Sequence, residues 1–202
     1  IEIGGGSGIR IVGSDIDVSK SMSTEGRVEI IRSNLDIEEG INKRKEEAIK
    51  VEGSKIEGDV YINEGEIEIE GSEIKGEGYG IRIGREGKVE IERSRVEGEI
   101  GIEVGEESEI EIGEGVEVEG GEVGIKVGGA RETELRGISV VSKGKAIEAG
   151  DGVVEVVGSE IEGEIEIEGE GEIRVLGSKV EGGISSRDIG EIEIEGSEVK
   201  SE

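Results

Sequence analysis

The amino-acid sequence predicts an all-β fold: a single three-sided parallel β-helix (β-solenoid) of about ten coils, 18–23 residues per coil, spanning residues 1–202 as one domain with little or no helix. Three observations carry this expectation. Apolar and polar residues alternate almost without interruption, as in Glu66-Ile67-Glu68-Ile69-Glu70, the period of two that buries one face of a strand. Ile and Val together number 54, and such β-branched side chains favour strands. Finally, the pattern apolar-x-apolar-x-[Gly/Arg]-Ser-x-apolar recurs along the whole chain, as expected of a solenoid in which one repeat is one coil.

The repeats centre on Ser14, Ser33, Ser54, Ser72, Ser94, Ser159, Ser178 and Ser197. Two further copies are degenerate: one carries Thr133, Leu135 and Val140 with Ile138 in the Ser place, and the other carries Ile110 and Ile112 followed by Gly115 and a slip to Val116. The coil after Ser54 shows the plan. Lys55-Ile56-Glu57 makes a short strand, Gly58 breaks it, and Val60 and Ile62 lie on a second strand. Glu64-Gly65-Glu66 turns, and Ile67-Glu68-Ile69 forms the third strand, giving a triangular section with each strand paired in parallel to its copy one coil away. Parity points each Ser inward, since the apolar residue two positions later also points inward; stacked hydroxyls and corner carbonyls are then expected to satisfy one another. Coil lengths differ mainly in segments such as 76–88 and 119–132, which are expected to be loops gathered on one side. Gly4–Gly8 is expected as a loose first corner, and the only helix-prone stretch, Asn42–Ala48, as an extended charged corner.

High net charge and scarce aromatics are marks of disorder, but the placement of the apolar residues outweighs them. The net charge of −28 argues against nucleic acids and anionic membranes as partners, because both require clustered Lys and Arg. No apolar run approaches the length of a membrane span. No targeting segment is evident before the first strand, so a soluble protein of unassigned compartment is expected. With no Cys there are no disulfides and no thiol chemistry.

The repeat at this spacing resembles the coils of right-handed parallel β-helices of the pectate-lyase-like kind, and right-handedness also follows the general preference of parallel crossovers. The resemblance covers essentially the whole chain but concerns fold alone. Long catalytic loops, Asn ladders, aromatic stacks and an N-terminal capping helix, usual in that family, are missing from the sequence. Pro, His, Cys, Trp, Phe and Gln are all absent, and Glu outnumbers Asp 46 to 6. Such an alphabet resembles that of a computationally designed (de novo), idealised solenoid.

Without His or Cys, zinc and haem ligation and His-activated nucleophiles are excluded. Gly76-Glu77-Gly78-Tyr79-Gly80 has the look of a phosphate loop, but Gly-rich corners recur throughout and no helix N-terminus is expected after it. Paired carboxylates, the groups of glycosidases, are so numerous that none stands out. Asp15, Asp17 and Asp36, beside Asn34, hold half of the Asp; Asp17 should stack on Asp36 and Asp15 on Asn34. That cluster is the one candidate for weak Ca²⁺ binding, but the leading expectation is a solvated polar face at a terminal coil. Tyr61 and Tyr79 are the only rings, too few for the usual saccharide platforms.

No catalytic, cofactor or metal residue is therefore assigned, and no small-molecule substrate is expected. The leading functional expectation is a structural scaffold, not an enzyme. The alternative is a reduced carbohydrate-active or Ca²⁺-binding parallel β-helix protein. Glu68, Glu90, Glu111, Glu134 and Glu155 should stack in one outward column, repelling one another by about 0.9 kcal/mol per neighbour in water at a spacing of about 4.8 Å. Mild acid and added salt should then stabilise the fold. Val12 with Ile31, and Val157 with Leu176, replace charges at outward positions, and Val141 and Val153 could lengthen the second stripe. A mainly monomeric protein is expected, with weak self-association at most, through Val12, Ile31, Val157 and Leu176.

Overall fold

A computed structural model describes residues 2–3, 8–43, 48–129, 132–187 and 190–201. Residues 4–7 and 44–47, within the loose corner and the charged corner read from the sequence, lie outside them. The chain is all-β, with no helix among the described residues, and every strand pairing is parallel. Each coil presents three faces. The first follows the Ser corner, as in Lys55–Glu57; the second follows the next corner, as in Val60–Ile62; the third precedes the following Ser, as in Gly65–Glu70. Third-face strands form a ten-stranded sheet from Ile9–Val12 to Glu191–Glu195, so ten rungs bound about nine turns. The first and second faces join in a 16-stranded sheet.

They join because the segments expected to be loops are strands. Arg95–Val104, Glu117–Val127, Ser139–Ala149 and Glu160–Ile167 each run through the corner between the first two faces. Glycine at that corner bends the chain while its hydrogen bonds continue, and differences in length appear as register shifts such as that between Gly98 and Ile100.

Ile and Val fill the interior, and most third-face inward positions, such as Ile30, Ile49, Val89 and Val156, are fully buried. The residue before each Ser adopts positive φ in every coil, from Gly13 at 57° to Gly196 at 61°, with Arg32 at 48° and Arg93 at 47° as the two non-glycine members. That left-handed turn swings Ser inward, as parity requires; Ser33, Ser54, Ser72, Ser94, Ser159 and Ser178 are buried.

The hydroxyls do not bond to one another. Each Oγ donates to the carbonyl two residues back (Ser72 Oγ to Glu70 O, 2.9 Å), and where the preceding coil carries a ladder Ser it accepts that residue's backbone N–H (Ser54 N to Ser72 Oγ, 3.1 Å). One hydroxyl thus satisfies two corner groups that burial would otherwise leave unpaired. Val116 and Ile138, 1% and 2% exposed, interrupt the column, and Ile138 N–H still reaches Ser159 Oγ at 3.3 Å.

Thr133 shows the opposite case. It is fully buried between Ile110 and Val154 in the stack, and its Oγ1 has no hydrogen-bond partner. Thr133→Val keeps the shape and removes the unpaired hydroxyl, so it should raise stability by about 1–2 kcal/mol. A urea titration of both proteins checks this; a lowered midpoint in the variant would show that the hydroxyl is satisfied after all.

Candidate functional site

A column of charges that includes the buried Glu166 lies on the outward side of the second face. Each occupies the middle of an apolar-charged-apolar triplet: Ile81-Arg82-Ile83, Ile102-Glu103-Val104, Ile125-Lys126-Val127, Ile147-Glu148-Ala149 and Ile165-Glu166-Ile167. Alternation sends the apolar residues inward, and parallel register sets the central ones beside each other in successive coils. Arg82 Nε lies 2.6 Å from Glu103 Oε2, and Lys126 Nζ lies 2.5 Å from Glu148 Oε1. Tyr79 and Tyr61 flank Arg82, their ring centroids 4.7 and 5.8 Å from its guanidinium carbon.

Glu148 and Glu166 then fall side by side, which alone would be repulsive. Register shifts on both sides of Lys145 turn that residue outward to meet them. Its Nζ lies 2.6 Å from Glu148, 2.5 Å from Glu166 and 3.2 Å from Glu168. Arg187 pairs with Glu166 and lies 3.0 Å from Glu168. Glu166 is 3% exposed. Burial opposes the charge on Lys145, but hydrogen bonds to the three carboxylates outweigh it and hold the ammonium above the usual lysine range. Burial likewise opposes the charge of Glu148, and Lys126 and Lys145 outweigh it, leaving the carboxyl below its ordinary range. Both shifts run away from neutrality, the reverse of what an acid or base working near pH 7 requires.

Carboxylate oxygens of Glu148, Glu166 and Glu168 lie within 4.8 Å of one another, as do those of Glu66, Glu68 and Glu90. In each trio a lysine ammonium already sits against the carboxylates: Lys145 in the first, and in the second Lys50, 2.9 Å from Glu68, with Lys88 on Glu90. The first trio faces three cations, Lys126, Lys145 and Arg187, so its six charges sum to zero. Chemically, this is an ion-pair network.

The Asp cluster stacks as the repeat implies, with Asp17 opposite Asp36 and Asp15 opposite Asn34. All four residues are exposed, and their carboxylates are not among those that converge within 4.8 Å. The Gly76–Gly80 corner leads into a strand, and Gly78 N–H donates to Asp59 Oδ1 at 3.3 Å. The expected Glu column is in register from Glu68 to Glu155, but cations from neighbouring positions lace it: Arg136 lies 2.9 Å from Glu134 and 3.4 Å from Glu155.

Val12 stacks on Ile31 and Val157 on Leu176, with Val12 43% exposed and the other three half-buried. Val153 shares a strand with Val157, whereas Val141 sits on the first face between Glu119 and Glu162 and cannot lengthen that stripe. The second-face column is the feature that sequence reasoning missed. Its apolar-charged-apolar triplets, alternating in sign from Arg82 to Glu148, were the available signal.

These residues define a parallel β-solenoid whose most sheltered charges are matched within its own stack. No family model matches the chain, and no curated protein or solved structure does either.

Proposed function

We propose that the protein is a structural scaffold, an idealised and computationally designed solenoid on the right-handed plan that its repeat resembles, without enzymatic activity or a natural ligand. The observation that supports this reading most is the second-face column. Its charges Glu148, Glu166, Lys126 and Lys145 are spent on one another rather than presented to a substrate. The reduced residue alphabet and the Ser corner repeated through most coils suit a sequence whose local choices all serve one architecture. On this reading the chain has no nucleic-acid, membrane or small-molecule partner.

Calorimetric titration with CaCl₂ tests it against the cation-binding alternative. The expected result is no saturable heat in the low-millimolar range, and none in the variant Asp15→Ala, Asp17→Ala, Asp36→Ala. Saturable binding that disappears in the variant would replace the scaffold reading with that of a Ca²⁺-dependent protein.

A further inference from the structure

Five of the six Asp precede Ile or Val, whose branched side chains crowd the following amide nitrogen, and Asp151 alone precedes Gly. The three Asn precede Leu, Lys and Glu. We infer that Asp151 and Gly152 form a self-modification site, at which the folded chain converts aspartate to isoaspartate through a cyclic imide.

Three features of this corner support the reaction. Asp151 is exposed and lies with Gly152 in the bend between Ser139–Ala149 and Val153–Val157, outside both strands. Its carboxyl is already held in place, because Oδ1 accepts the backbone N–H of Glu170, in the next coil, at 2.9 Å. That donor stands where negative charge develops when a nucleophile adds to the carboxyl carbon, at a distance that stabilises such an oxyanion. The attacking atom is Gly152 N, whose N–H has no hydrogen-bond partner among the described residues, although the Gly152 carbonyl accepts Glu172 N–H at 2.8 Å. No side chain covers it from the next coil, where Gly171 stands; a Cβ there would lie 3.4 Å from Gly152 N.

The step balances without a co-reactant. With the Asp151 carboxyl protonated, Gly152 N bonds to Cγ and gives up its hydrogen. The Oδ2 hydroxyl takes that proton and leaves as water, which closes the imide. Water then opens the ring at either carbonyl. Attack at Cγ restores aspartate. Attack at the main-chain carbonyl carbon frees an α-carboxylate and leaves the chain running through Cβ and Cγ, one methylene longer. Gly129, Gly169 and Gly171, in the coils on either side, carry no side chains against the lengthened corner. Nothing is oxidised or reduced, and the product has the mass of the starting chain.

Incubation of the 202-residue chain in mildly acidic buffer, folded or in urea, followed by peptide mapping, tests the proposal. Isoaspartate should accumulate at residue 151 before any other, preceded by a species one water lighter. Its rate in the folded chain should equal or exceed that in urea. Asp151→Glu, which would need a larger ring, should abolish the signal. Glu170→Pro deletes the donor to Oδ1 and should slow the folded-state reaction by about tenfold; the comparison with urea decides if that variant does not fold. A folded-state rate below that in urea, isoaspartate appearing first elsewhere, a signal that persists in Asp151→Glu, or an unchanged rate in folded Glu170→Pro would each overturn the proposal.

Discussion

Gly101→Ala should lower stability by about 2–3 kcal/mol, more than any other single methyl added to a corner with room around it. Gly101 bends the strand Arg95–Val104 between the first and second faces and stacks between Gly80 and Gly124. A Cβ there would lie 2.5 Å from Val118 Cγ1 and 2.6 Å from the carbonyl oxygen of Gly124. The valine could rotate, but the oxygen belongs to a paired backbone and cannot. The gain of about 0.4–1 kcal/mol from a stiffer unfolded chain is too small to offset that clash. The next member of the column is Ala146, and it is tolerated because the following coil places no residue opposite it: Lys145 pairs with Glu164 and Ile147 with Ile165. Gly71→Ala is the control, since nothing lies within 4 Å of its Cβ and only its φ of 56° is unfavourable; it should cost about 1–2 kcal/mol. Urea midpoints for the two variants test the order, and an unchanged midpoint for Gly101→Ala would mean that the corner yields.

Lys145→Met should cost about 3 kcal/mol, because it leaves Glu148 and the buried Glu166 side by side with one ammonium fewer. Arg187 still reaches Glu166, which keeps the loss below that of a wholly unpaired buried charge. The double variant Lys145→Met, Glu166→Met should recover much of the loss, as paired removal of buried charges commonly does. A double variant no more stable than the single one would show that the network contributes by more than neutralisation. The pH dependence has a definite sign. The folded Glu148 carboxyl lies below its ordinary value of 4.5, so its contribution is present above that value and is lost as pH falls through the lowered one. Lys145 is raised, so its contribution is present below 10.5 and is lost as pH rises through the higher folded value. Thermal melts of wild type and Lys145→Met should therefore differ most near neutrality and converge in acid.

Much of the fold was legible because the repeat carries its own register. Once Ser14 and Ser33 are aligned, Asp17 must meet Asp36, and Ser must face inward beside residues such as Leu35 and Ile56. Fusion of the first two faces was not legible. Gly120 lies in a segment that reads locally as a loop, yet it pairs with Gly98 and stays in the ladder because the coils on either side bend at the same place. The Lys145 network was hidden for a related reason. Its members meet across coils of unequal length, and Lys145 turns outward only because a register shift occurs there. Val141 was misplaced against the repeat itself: with Ile138 in the Ser place, Val141 comes three residues later, in the first-face column that also holds Asp17 and Asp36.

The parallel ladders join each coil only to the one before and the one after, and their hydrogen bonds lie along the axis of the stack. Tension applied between the two ends therefore meets the coil interfaces in series rather than together. Each interface is borne by a few hydrogen bonds on each face, and the outermost yields first, leaving its neighbour as the new end. At about 3.5 Å per extended residue, each detached coil of 18–23 residues pays out roughly 60–80 Å of chain. Pulled lengthwise, the molecule is a ratcheted tether; squeezed across its three faces, it is a stiff rod.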